Sequence, residues 1–193
     1  MQIRKGLYHI TGAAWGSLGE AYCLTHSEGY VLIDMGSPGA LKNILENMDY
    51  WGIDASKVTH VLITHGHDDH VGDAYYFKNL GAKIVVGASD APMLEAGNLG
   101  IDSPCTNHKM PPCKPDILIE KDCKLTIGNL EFEILSTPGH TNGTLLYLVN
   151  YNSELIKLLH FQQQLLLFLS IRHLQVLHEN LIRLTFWHVQ LHL

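Results

Sequence analysis

The segment Val58-Thr59-His60-Val61-Leu62-Ile63 is β-branched and almost continuously apolar. A strand of that composition has no face to give to water. It must lie inside a sheet that is covered on both sides, which selects a layered α/β or α+β architecture. The next stretch narrows the chemistry. Thr64-His65-Gly66-His67-Asp68-Asp69-His70-Val71-Gly72-Asp73 packs three histidines and three carboxylates into ten residues directly after the strand. Nitrogen and oxygen donors clustered at a strand end form a candidate zinc-type metal site.

The surrounding pattern supplies the layers. Residues 21–34 read as a β-hairpin around His26-Ser27-Glu28-Gly29. Gly36-Ser37-Pro38-Gly39 offers a serine cap followed by proline, and Leu41, Ile44, Leu45 and Met48 then fall at helical spacing up to Gly52. A helix is predicted from Val71 to Leu80, a strand at Ile84-Val85-Val86 and a short helix from Ala88 to Ala96. Residues 97–116, with Pro111-Pro112 and Pro115, read as a long loop. Strands over 117–119, 124–127, 130–135 and 144–149 come next in meander order, with Ser136-Thr137-Pro138-Gly139-His140 as a loop at a strand end.

Composition divides the chain near residue 150. All 17 glycines lie at or before Gly143 and all seven prolines at or before Pro138. Residues 151–193 hold thirteen leucines, five histidines and five glutamines but no aspartate, glycine or proline. An α/β domain needs turn residues between its elements, and this tail lacks them. Residues 1–150 therefore read as the domain, and 151–193 as an atypical Leu/His/Gln-rich tail of the composition a shifted reading frame produces. Its longest apolar run, Leu165 to Leu169, is too short to span a bilayer.

His65 and His67 stand two apart in extended backbone, so both project to one side. Asp69 and His70 come where the next helix begins. An alternative use for Asp68 or Asp69 is as a helix N-cap, but capping leaves the histidines unexplained. The run Thr64 to His70 resembles the His-x-His-x-Asp-His signature of the metallo-β-lactamase-fold hydrolases, the group that includes glyoxalase II. Leu32-Ile33-Asp34-Met35-Gly36 is similar to that family's first landmark, and Thr137-Pro138-Gly139-His140-Thr141 to its third. Together the three motifs cover residues 17–149.

The resemblance implies an αβ/βα sandwich and one or two Zn2+ ions, with iron or manganese as substitutes. His65, His67 and His140 would hold the first metal, and Asp69 and His70 would supply part of the second site. Three imidazoles leave one tetrahedral position for a water acidified to a pKa of about 7. Asp69 would be the catalytic residue that orients this nucleophile toward an ester, thioester, lactone or lactam carbonyl and shares its proton. Asp34 either braces the metal loop or simply ends a strand. The family pattern continues with a Gly-Asp and a later Gly-His, yet this chain has no aspartate after Asp122 and no glycine after Gly143. On the resemblance, the second half of the sandwich is incomplete and the second metal site is half present.

Charge limits the remaining classes. Residues 1–150 carry ten basic and seventeen acidic side chains, which disfavours a nucleic-acid partner. The four cysteines, Cys23, Cys105, Cys113 and Cys123, contain no Cys-x-x-Cys pair, so neither a cysteine-built zinc site nor a disulfide scaffold is indicated. No apolar h-region succeeds Met1-Gln2-Ile3-Arg4-Lys5, which makes a cytoplasmic setting the expectation, while a small-molecule substrate is what the resemblance implies. Oligomeric state is left open. The competing readings are a non-catalytic relative that holds at most one metal, and an iron-dependent persulfide dioxygenase, which the missing aspartate disfavours.

Overall fold

In the computed structural model the described residues are 1–11, 19–98, 110–152 and 154–158. Seven strands form the first sheet in chain order: β1 (Gln2–Arg4), β2 (Leu7–His9), β3 (Tyr22–His26), β4 (Gly29–Ile33), β5 (Val58–Leu62), β6 (Lys83–Gly87) and β7 (Ile117–Ile119). The pairings from β1 to β4 are antiparallel and those from β4 to β7 are parallel. The second sheet runs β11-β10-β9-β8, all antiparallel, from β8 (Cys123–Ile127), β9 (Leu130–Ser136), β10 (Leu145–Tyr151) and β11 (Glu154–Leu158).

β5 is buried on both faces, as its composition requires. Val61 and Ile63 pack with Leu32, Ile84 and Val86 against α1 (Leu41–Tyr50) and α3 (Ala74–Asn79), through Ile44, Met48 and Phe77. Leu62 points the other way. It joins Val31, Ile33 and Val85 against Phe132, Ile134, Tyr147 and Val149 of the second sheet. Among the described residues the layers are thus helices, first sheet, second sheet: an α/β sandwich of the expected class.

Three local expectations change. The serine cap does not form. Ser37 O accepts from Ala40 N–H at 2.9 Å in a turn, and α1 starts at Leu41 with no side-chain cap. The helix read from Val71 to Leu80 is two, α2 (Asp68–Val71) and α3. Gly72 between them has φ +44°, and a Cβ there would run into Gly36 O. Only glycine fits such a position. The helix read from Ala88 begins as a 3-10 turn over Ala88–Asp90 and becomes α4 (Ala91–Ala96), with Pro92 in its first turn and Gly97 closing it at φ +65°.

β10 also runs further than 149. Asn152, at φ +51°, turns the chain into β11, which lies within the 151–193 stretch that composition sets apart. Tyr151 Oη donates to Thr25 O at 3.2 Å and Asn152 Nδ2 to Lys5 O at 3.2 Å, tying this corner back to the first sheet. Cys105, His108 and the tail histidines lie outside the described residues.

Candidate metal centre

The histidine-rich loop leaves the carboxyl end of β5 between two neighbours that both grip it. Ile63 N–H still donates to Val85 O at 2.9 Å, while Tyr147 Oη donates to Ile63 O at 2.9 Å and Leu145 N–H to Thr64 O at 2.8 Å. Both sheets therefore fix the residues just before His65. His67 is extended (φ −72°, ψ 151°) and occupies the N-cap position of α2, with no side-chain cap bond. Neither Asp68 nor Asp69 serves as the cap. α2 is a single turn that carries Asp69 and His70 around to the same side.

The result is two groups that share His65. His65, His67 and His140 offer donor atoms within 4.8 Å of one another, as do His65, Asp69 and His70. Ring centroids lie 4.8 Å apart for His65 and His67, 4.6 Å for His65 and His140, and 4.7 Å for His67 and His140. All five residues singled out in the sequence are thus brought together, although Asp69 and His140 stand about 70 residues apart in the chain. His65, His67 and His70 are buried, Asp69 is half-buried and His140 is exposed, so the cluster opens toward solvent on the His140 side.

Asp34 organises the buried side. Its backbone is left-handed (φ +55°), a conformation that aspartate tolerates better than most residues. Oδ1 accepts from Thr64 N–H at 2.7 Å. Oδ2 accepts from Thr64 Oγ1 at 2.8 Å and from His70 Nδ1 at 2.7 Å. With that hydroxyl proton committed to Asp34, Thr64 Oγ1 accepts from His65 Nδ1–H at 3.2 Å. One carboxylate therefore orients two imidazoles and leaves the lone pair of each on Nε2, the arrangement typical of a metal-ligating histidine. Of its two sequence readings, bracing the loop is the one the geometry supports.

Electrostatics separate the histidines. Burial works against the charged form of His70, but the charge and hydrogen bond of Asp34 outweigh it and raise its pKa. His140 is pushed the other way by burial and by the neighbouring His67 and His70, so it stays a neutral imidazole at pH 7. Three convergent imidazoles beside a carboxylate are the donor chemistry a divalent metal of the zinc type takes.

A family model described as the metallo-beta-lactamase superfamily matches residues 16–152. The chain belongs to that superfamily. Its curated relatives include the uncharacterized protein YobT of Bacillus subtilis, 32% identical over 145 residues that cover 70% of this chain and 58% of YobT. Another is a hydroxyacylglutathione hydrolase of Pseudomonas fluorescens, 25% identical over 61% of this chain and 37% of its own length. Among solved structures, BJP-1, a subclass B3 metallo-beta-lactamase of Bradyrhizobium japonicum, superposes with a TM-score of 0.71. It is 27% identical, over 83% of this chain and 61% of its own. The chain spans about half the length of the curated relatives it matches.

One residue of this superfamily member's site, Asp90, escapes a reading of the sequence; Thr64 and Thr141 stand inside the motifs without a role assigned to them. Asp90 comes after β6, the neighbour of β5, and its place at the carboxyl end of a parallel strand is the signal that could have marked it. A cavity of about 360 Å3, lined by Ser89, Glu120, Ser136, Asn142 and Gly143 among others, adjoins the loop that carries His140. Cys23 and Cys113 are buried and unbridged, and burial pushes the Cys113 thiol up to about 11, which removes it as a nucleophile at neutral pH. Among the described residues no helix is long and apolar enough to cross a membrane.

Proposed function

We propose that this chain is a metal-dependent hydrolase of small carbonyl compounds, with zinc as its metal. His65, His67 and His140 hold the first ion; Asp69 and His70 supply the rest of a partial second site. When bound, zinc supplies Lewis-acid chemistry, acidifying a water and polarising a carbonyl oxygen. The protein's own contribution is orientation. Asp34, through Thr64 and His70, holds the imidazole tautomers ready. Asp69, half-buried beside His70 (3.6 Å to Nε2), would align the attacking water and take its proton. The exposed flank at His140 admits the substrate. The adjoining cavity offers hydroxyl, amide and carboxylate groups to the polar remainder of an ester, thioester, lactone or lactam.

The observation that carries this reading is the convergence of the five ligand-type side chains into two groups sharing His65, with tautomers set from behind. The named activities of the hydroxyacylglutathione hydrolases and of BJP-1 support a hydrolytic rather than an oxidative reaction. The test is to strip the full-length chain with a chelator, restore zinc, and follow hydrolysis of an acyl-glutathione thioester, a lactone and a β-lactam. Activity should vanish with chelation, return with zinc, and be lost in His67→Ala and Asp69→Asn. Hydrolysis that survives the chelator, or both substitutions, refutes the proposal.

A further inference from the structure

Asp90 is 1% exposed and stands at the N-cap of α4, yet its side chain makes no cap hydrogen bond to that helix. Its Oδ2 accepts from Gly66 N–H at 2.7 Å and from Thr141 Oγ1 at 2.6 Å, and its Oδ1 accepts from Gly143 N–H at 2.9 Å. Gly66 is the residue between His65 and His67, and Thr141 comes directly after His140. One carboxylate thus spans the loop after β5 and the loop before β10, which come from different sheets and carry the three convergent imidazoles. The glycines make room for it. A Cβ on Gly143 would stand 2.5 Å from Asp90 Cγ, and one on Gly66 would stand 2.9 Å from Asp90 Cβ. Such contacts are closer than side chains tolerate. A buried carboxylate is costly unless its acceptor sites are filled, and among the described residues its three donors lie on the two ligand loops.

We propose that Asp90 is a positioning residue of the metal centre: its carboxylate sets the separation of the His65–His67 pair from His140, and so fixes how tightly the three imidazoles take a divalent metal. The inference rests on these histidines being ligands. Each flanking loop keeps its shape by other bonds, Thr64 to Asp34 on one side and Thr141 N–H to Thr144 Oγ1 at 3.0 Å on the other. Asp90 therefore acts on the distance between the loops rather than on either loop alone. Asparagine cannot replace it. With one acceptor oxygen, its amide nitrogen must face a main-chain N–H of Gly66 or Gly143.

The experiment measures zinc affinity of the full-length, metal-stripped chain by competition with a chromophoric chelator. The variants are D90N, T141V, T141S, H140A and the double variant D90N/H140A. Loss of a side chain that orients metal ligands costs about 10–100-fold in metal affinity. D90N should show a loss of that size and T141V a smaller one, while T141S keeps the hydroxyl and the wild-type affinity. In the H140A background D90N should change affinity less than about twofold, because no second loop remains to be placed. The visible spectrum of the cobalt(II)-loaded protein should shift in D90N toward that of H140A. Unchanged affinity in D90N, or an equal loss with and without His140, overturns the proposal and leaves Asp90 a general stabiliser. Should D90N not fold, the contrast between T141V and T141S decides the matter, and equal affinity of those two overturns it. A wild-type chain that binds no zinc overturns both this inference and the function it rests on, whereas tight wild-type binding matched by D90N overturns this one alone.

Discussion

Replacing Asp34 by asparagine exchanges one oxygen for an NH2 group, yet it should reverse a chain of proton positions. Thr64 N–H is a main-chain donor that cannot turn away, so the asparagine oxygen must take the place of Oδ1. The amide nitrogen then faces Thr64 Oγ1 and His70 Nδ1. The hydroxyl can rotate to accept, which sends its own proton toward His65 Nδ1. Both imidazoles are then forced to accept at Nδ1 and to carry the proton on Nε2, where a metal needs the lone pair. Hydrogen bonds to a charged partner contribute about 1.5–3 kcal/mol and neutral ones about 1 kcal/mol. Three weakened bonds, offset by the lower cost of burying a neutral group, give about 1–3 kcal/mol of lost stability in chelated protein. Zinc affinity should fall a further 10–100-fold, or about 1.4–2.7 kcal/mol. Urea unfolding in chelator measures the first quantity and competitive zinc titration the second. Asp34→Ala should cost about 3–5 kcal/mol of stability, since it strands buried donors. If D34N destabilises the chelated chain but binds zinc as the wild type does, the tautomer reasoning is refuted and Asp34 serves the fold alone.

Two more substitutions have outcomes set by the same structure. Gly72→Ala places a Cβ at φ +44° against Gly36 O and should cost at least about 2 kcal/mol in the chelated chain; a loss under about 0.5 kcal/mol in urea unfolding contradicts it. Burial first, then Lys83 and His26, lower the pKa of His60, so the unfolded chain takes up a proton that the folded one refuses. The stability this contributes is complete above the ordinary histidine pKa of about 6.5 and is lost as pH falls from there through the lowered folded-state value. His60→Gln should flatten the decline in stability between pH 7 and pH 5.5, and an unchanged slope in chelated protein rules the effect out.

The sequence displays β5 and its loop because local spacing encodes them. Alternation within Val61-Leu62-Ile63 assigns two residues to the helices and one to the second sheet. His65 and His67 do come together, with ring centroids 4.8 Å apart, but across a run of bends over residues 64–67 rather than by the alternation of a strand. The break at Gly72 is one residue long and hides inside a helical pattern that a glycine alone does not veto. The turn into β11 rests on Asn152, a weak signal in a segment whose leucines and missing glycines argue against ordered sheet. Asp34 and Asp90 are harder still. Their partners lie 30 and 36 residues away for the first, and 24, 51 and 53 for the second. A carboxylate that accepts from main-chain N–H groups leaves no periodicity behind.

These two aspartates nevertheless obey one rule that the topology supplies. β4 and β6 are the hydrogen-bonded neighbours of β5, and Asp34 and Asp90 come after β4 and β6 respectively. The last main-chain donor to find a strand carbonyl is Ile63 N–H, directly after β5, bonded to Val85 O. Beyond it the chain bends out of the sheet, while β6 runs on to Gly87 beside β7. Thr64 N–H then goes to the Asp34 carboxylate and Gly66 N–H to the Asp90 carboxylate, one on each side. The two side chains supply acceptors where strand carbonyls no longer meet the chain, and so hold the bent loop from both sides. Without them two main-chain N–H groups of the ligand loop would lose their acceptors. The path of the loop that lets two histidines two residues apart meet His140 is therefore a property of three adjacent strand ends acting together.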